Sequence, residues 1–178
     1  GNAEVLMANR NGRAIRFHES TVRVMGRVST GVKGMTLDGD DDEVVGMITM
    51  TGKPDETVMV VSEQGYGKRS DLDDYRITNR GGKGVKTLNV TEKTGKLVSI
   101  KNVNDSNDLV IINKSGITLR LKVADIRVMG RATQGVRLIN LEKRNDEIAS
   151  VCKVDSEEEA LEMEEGAEAT AVEVPETI

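Results

Sequence analysis

The chain has 178 residues, with 25 Lys and Arg against 30 Asp and Glu, one histidine, one cysteine and 2% aromatic residues. No apolar run approaches the roughly 20 residues that a membrane span needs, and no charged, apolar and small-residue leader is visible. Cys152 alone makes neither an internal disulfide nor a thiolate zinc cluster, and His18 alone leaves His-based triads and His-pair metal sites without material. The expectation is a chain of a reducing cytoplasm, with Cys152 as a small buried apolar residue.

Glycine is abundant (18) and proline scarce (2), which suits many tight turns between short strands. The first predicted strand is the apolar run Val5–Ala8, and the turn Asn11-Gly12 after it is a strong hairpin signal, because both central positions accept positive φ. An alternating second strand follows at Arg13–Phe17. The segment "GVKGMTL" from Gly31 reads as a third strand. The acidic turn "DGDDDE" from Asp38 leads to a fourth at Val44–Ile48. That turn does not match the spacing of an EF-hand loop, and its counterparts later in the chain are less acidic, so it reads as a solvated turn.

The same series then repeats twice. "VMVV" from Val58 and "LVII" from Leu109 are the second and third opening runs, of a kind that suits strands buried on both faces. Gly12, Gly65 and Gly116 share a column, as do Gly31, Gly84 and Gly135, each spaced 53 and then 51. The two extra residues fall in "TMTGKPDET", the mark of an exposed connector. Self-similarity at about 50 residues, four strands to a unit, is the size of a propeller blade. The expected fold is all-β: about three four-stranded antiparallel blades at residues 1–54, 55–105 and 106–154. The remainder, 155–178, holds ten acids and no base, and is expected to be a solvated tail. Ser156 and Glu159 have capping-box spacing there, but apolar residues are few. Without that tail, 20 acids face 25 bases, so the body is mildly basic.

Four columns are basic in every unit: Arg16, Arg69 and Arg120; Arg23, Arg76 and Arg127; Arg27, Arg80 and Arg131; Lys33, Lys86 and Arg137. Arg13, Lys68, Lys83 and Lys122 stand beside them. In extended chain residues two or four apart point the same way, so Arg23 and Arg27 are expected to share a face. Each column alone is an ordinary solvated charge. Together, with the acids drifting between copies, they predict a basic stripe facing a regular polyanion, which is nucleic acid. Three aromatics at unrelated positions (Phe17, Tyr66, Tyr75) argue against stacking on single strands, and leave contact with a duplex backbone. "RGGKG" at Arg80–Gly84 is similar to a phosphate-cradling loop, but lacks the Walker spacing.

The strings "GRAIRFHESTVRVMGRVSTGVKGM", "SEQGYGKRSDLDDYRITNRGGKGVKTL" and "SGITLRLKVADIRVMGRATQGVRLI" resemble consecutive blades of the C-terminal domain family of the DNA gyrase A subunit. In order, and with the acidic end, they resemble the last three of the family's usual six. The resemblance implies a β-pinwheel whose blades exchange strands and whose basic rim binds and bends duplex DNA. It implies a place in an ATP-dependent type IIA topoisomerase, together with the gyrase B subunit, and with the remainder of the A subunit, in the cytoplasm at the nucleoid. ATP and magnesium then belong to other domains, and neither Tyr66 nor Tyr75 has the setting of a cleaving tyrosine. The family's box Q-R-R-G-G-K-G normally sits in the first blade. Here Thr78 and Asn79 precede Arg80, Gly81, Gly82, Lys83 and Gly84, a five-of-seven match in a later blade, so it is not that box. The resemblance also implies that an acidic tail can compete with DNA. Two other readings stay open: the equivalent domain of topoisomerase IV, and a propeller-like scaffold that grips acidic proteins.

Overall fold

The structure, a computed structural model, describes residues 2–141 and 146–156. Eleven strands are assigned there: β1 Glu4–Asn9, β2 Arg13–His18, β3 Val44–Met50, β4 Thr57–Ser62, β5 Tyr66–Asp71, β6 Val85–Lys86, β7 Leu97–Val103, β8 Asn107–Asn113, β9 Thr118–Lys122, β10 Val136–Arg137 and β11 Ile148–Asp155. One 3-10 turn follows the second strand of each unit, at Glu19–Thr21, Leu72–Asp74 and Val123–Asp125. No helix among the described residues is long and apolar enough to cross a membrane.

The strands form three antiparallel sheets, ordered β3-β1-β2-β6, β10-β5-β4-β7 and β11-β8-β9. The hairpins are where the sequence puts them: β1 with β2, β4 with β5, β8 with β9. Gly12, Gly65 and Gly116 all close them at φ near 80°. The central strands are buried as their unbroken apolar runs demand, β4 at every position.

The third strand of a repeat joins the sheet of the preceding one rather than its own, the strand exchange that the family resemblance implies. β6 comes from the second unit but pairs with β2 of the first, Val85 opposite Ala14 and Lys86 opposite Arg13. β10 comes from the third unit and pairs with β5 of the second. The segment at Gly31–Met35, expected as a strand, lies outside any strand. The sheet of the third unit has three strands among the described residues.

β3 packs against β7 and β7 against β11, so the fourth strands of the units line a common hub. The exchanged strands lie at the opposite edge, which is the rim. The apolar core follows the junctions. One cluster joins Leu6, Ala8, Ile48 and Met50 of the first unit to Val58, Val60, Tyr75, Leu88 and Leu97 of the second. Another joins Met59, Val61 and Val103 to Leu109, Ile111, Val123, Ile126 and Val151. Neither blade is complete without its neighbour. Burying a Leu or Val contributes about 1.5–3 kcal/mol, so the junctions carry a substantial share of the stabilisation, beside a cluster of Val5, Ile15, Phe17 and Met35 within the first unit.

Cys152 is exposed, not buried. On β11 it alternates with Val151, and Val151 takes the core-facing side. The acidic turn is not merely solvated either. Asp42 is buried and its carboxylate accepts from Asn9 Nδ2 and from the Asp38, Asn11 and Glu43 backbone N–H groups. Asp38 pairs with Arg13 at 2.8 Å and Lys83 at 3.0 Å, which holds its carboxyl below the usual carboxylate range, the Lys83 hydrogen bond contributing most. Among the described residues no group of three His, Cys, Asp or Glu could hold a metal ion. The connector at 51–55 is exposed, with the half-buried Glu56 accepting from the Thr51, Gly52 and Lys53 backbone N–H groups. The acidic residues from Glu157 on lie outside the described residues.

Candidate nucleic-acid interface

The four basic columns have different fates. The first is a forward clamp. Arg16 donates through Nη1 to the carbonyls of Leu72 and Tyr75, both at 2.8 Å, and pairs with Glu4. Arg69, at 5% exposure, makes the same contacts one unit on, to Val123 and Ile126, and adds Thr57 Oγ1 and Asp105. Each guanidinium thus closes the 3-10 turn of the following unit, whose end carbonyls need donors. Arg120, with no following unit among the described residues, bonds Asp108 and the Asp155 carbonyl.

The third column is the reverse clamp. Arg80 donates to the carbonyls of Thr21 and Lys33 in the preceding unit, both at 3.0 Å. Arg131 donates to Asp74 and Lys86, the same positions one unit on. Arg27 has no such partner among the described residues. The "RGGKG" loop is therefore part of a junction: Arg80 grips carbonyls, the Gly81 N–H donates to Gly34, and Lys83 meets Asp38.

These placements take Arg16 and Arg69 out of the exposed stripe, and give Arg80 and Arg131 structural work at its margin. Lys68 also leaves it. Its side chain is 0% exposed and its ammonium donates to the carbonyls of Gly130 and Arg131 and to Thr133 Oγ1. Burial pushes its pKa down to about 7, Asp74 opposing and Arg131 adding to the shift.

What stays on the rim is the second column and most of the fourth. Arg23, Arg76 and Arg127 are exposed, and none has a hydrogen bond or ion pair among the described residues. Arg76 and Arg127 share one backbone setting. Ile77 bridges Arg16 in parallel and Val128 bridges Arg69, so each arginine stands just before the residue that docks on the preceding sheet. The expectation that Arg23 and Arg27 act together does not carry over to their counterparts, which divide, Arg76 outward and Arg80 onto carbonyls. Lys33, Lys86 and Arg137 are exposed on the segments that end at the rim edge. Lys86 donates to Asn89, and Arg137 donates to the Tyr66 hydroxyl and lies 5.5 Å over its ring. Arg13 pairs with Asp38, and Lys122 is exposed at the end of β9. The arrangement is a rim of unpaired or loosely held cations, one set per unit, on a scaffold that other arginines lock.

A family model described as "DNA gyrase C-terminal domain, beta-propeller" matches residues 3–49, 56–104 and 107–153. The chain belongs to that family. It is 46% identical over 168 residues to the DNA gyrase A subunit of Staphylococcus aureus (strain NCTC 8325 / PS 47), covering 93% of this chain and 19% of the relative. The chain thus spans about a fifth of the length of the curated relatives it matches. Among solved structures, the C-terminal domain of DNA topoisomerase IV superposes with a TM-score of 0.81 at 27% identity, over 92% of this chain and 52% of that one. The DNA gyrase A C-terminal domain gives 0.77 at 27%, over 85% and 50%.

Proposed function

We propose that this chain is a duplex-DNA-binding and DNA-bending module of the gyrase A subunit. It would act in the cytoplasm, at the nucleoid, within a holoenzyme that includes the gyrase B subunit together with the remainder of the A subunit. The chemistry of strand cleavage and ATP use, with its magnesium, lies elsewhere in that assembly, and this chain contributes the path along which DNA is wrapped before negative supercoils are introduced. The observation that carries the reading is the column Arg23, Arg76 and Arg127, which recurs once per unit, exposed and unpartnered among the described residues. Junction packing gives no reason for a guanidinium there, whereas a phosphate backbone tracked from unit to unit does. The family and the 46% identity to a gyrase A subunit favour gyrase over topoisomerase IV.

The test is a gel shift on random-sequence duplex across salt. The expected outcome is little sequence preference and a steep log–log slope, roughly 0.9 per phosphate neutralised. Removing all three of Arg23, Arg76 and Arg127 should lower that slope by about 2–3. A flat slope in the wild-type chain would replace the DNA reading with the protein-scaffold one.

A further inference from the structure

Two exposed apolar side chains stand beside the rim arginines. Ile77 is 57% exposed and Val128 43%, although each comes two residues after a buried anchor, Tyr75 or Ile126. Single exposed apolar residues are ordinary on a protein surface. These two share one column of the repeat, which Val24 holds in the first unit. Each directly follows the outward arginine, Arg76 or Arg127.

Their backbone is held on both sides. The Tyr75 N–H donates to the Leu72 carbonyl, the Tyr75 carbonyl accepts from Arg16, and the Thr78 N–H donates to the Arg16 carbonyl at 2.9 Å. Between those ties Ile77 bridges Arg16. One unit on, the Ile126 N–H donates to Val123 and its carbonyl accepts from Arg69. The Met129 N–H donates to the Arg69 carbonyl at 2.9 Å, and Val128 bridges Arg69. A β-branched side chain is stiff at χ1 as well. Each aliphatic group is therefore presented to solvent on a fixed backbone that cannot swing to bury it.

Core packing gives no reason for an apolar residue there, and the charge beside it narrows the choice of occupant. A partner on this edge meets a guanidinium and an aliphatic group one residue apart, at both internal junctions. A duplex backbone alternates the same two characters, a charged phosphate and an uncharged sugar. We infer that Ile77 and Val128 press on the deoxyribose faces next to the phosphates that Arg76 and Arg127 hold, and so favour DNA over RNA. An RNA 2′-hydroxyl pressed on aliphatic carbon would lose its water without gaining a partner. The inference rests on the DNA reading of the rim. It adds to that reading a part of the affinity that salt does not screen, since apolar contact releases no counterions.

The test compares the whole chain with the double variant Ile77→Thr, Val128→Thr. Fluorescence anisotropy is read on a labelled DNA duplex across salt, and on the RNA duplex of the same sequence in low salt. Threonine keeps the β-branch, and at exposed positions it should leave circular dichroism and the urea midpoint unchanged. The expected result is a loss of DNA affinity of about three- to tenfold at every salt concentration, with the log–log slope and the RNA affinity unchanged. Should the double variant lose structure, Val128→Thr alone, which is isosteric, carries the same test at about two- to threefold. A variant that binds DNA like the wild type overturns the inference and leaves the DNA reading in place. So does one whose loss is equal on DNA and RNA, or whose slope falls with its affinity, because sugar contact would then not be the cause. A wild type without salt-dependent DNA binding overturns the DNA reading itself, and this inference with it.

Discussion

Arg69 and Arg76 are seven residues apart and do opposite work. The Arg69 guanidinium donates to two turn carbonyls and a threonine hydroxyl inside a junction, and removing it takes a donor from each of these buried acceptors. Arg69→Ala should therefore lower unfolding free energy by about 2–4 kcal/mol, read by urea denaturation. Arg76→Ala should change it by no more than about 0.5 kcal/mol, and lower DNA affinity instead. Equal stability losses in both variants would refute the division. The glycine columns give a second contrast. Gly65→Ala puts a methyl against the Ile139 carbonyl at positive φ, whereas Gly116→Ala suffers only the positive φ. The first should cost at least twice as much as the second, since αL strain alone is worth about 1 kcal/mol. The columns themselves were legible in the sequence, because a repeat displays which positions are held. Their division was not. An arginine that grips carbonyls and one that meets solvent look alike until the neighbouring unit is placed beside them.

At the level of elements, the loop from Arg127 to Gly135 is tethered to β5 by Lys68, where the first and third units have Ile15 and Leu119. The tether has a pH signature. An unfolded lysine titrates near 10.4, and burial brings Lys68 to about 7 in the fold. Between those values the unfolded chain binds more protons than the native one, so stability rises with pH; below pH 7 both states are charged and the full burial cost remains. Wild type should gain up to about 1.4 kcal/mol per pH unit from pH ~7.5 to 9.5 relative to Lys68→Met. Parallel stability curves for the two would show that Lys68 is not buried as described. The sequence reveals such a tether only as a charge breaking an apolar column. The exchange of β6 and β10 was implied by the family resemblance and not by the residue pattern itself. Period and turn residues fix where a strand starts, but "GVKTL" carries no mark of whether it joins its own sheet or the previous one. The exposure of Cys152 was hidden for a related reason: single apolar character does not say which side of an edge strand a residue takes.

Across the whole molecule, charge is distributed so that one chain presents two opposite characters to a polyanion. The described body ends at Ser156, and β11 runs through Asp155, whose carboxylate accepts from Asn107 and whose carbonyl accepts from Arg120. A truncation that tests the acidic segment must therefore keep Asp155 and Ser156. Removing 157–178 deletes nine acids and no base, leaving 21 acids against 25 bases, so the net charge passes from −5 to +4. On the proposed function, the nine carboxylates would act on duplex DNA in two ways. They would repel it through the general field, and would offer the rim arginines a competing anion on the same polymer. Both effects are screened as the Debye length shrinks from about 10 Å at 0.1 M salt to about 3 Å at 1 M. The truncated chain should bind duplex more tightly than the full one at low salt, and the two should converge as salt rises. Fluorescence anisotropy with a labelled duplex of fixed length measures both. Identical affinities at low salt would mean that the acidic segment neither occupies nor shields the rim. A gap that persists at high salt would point to a structural contribution of those residues rather than to their charge.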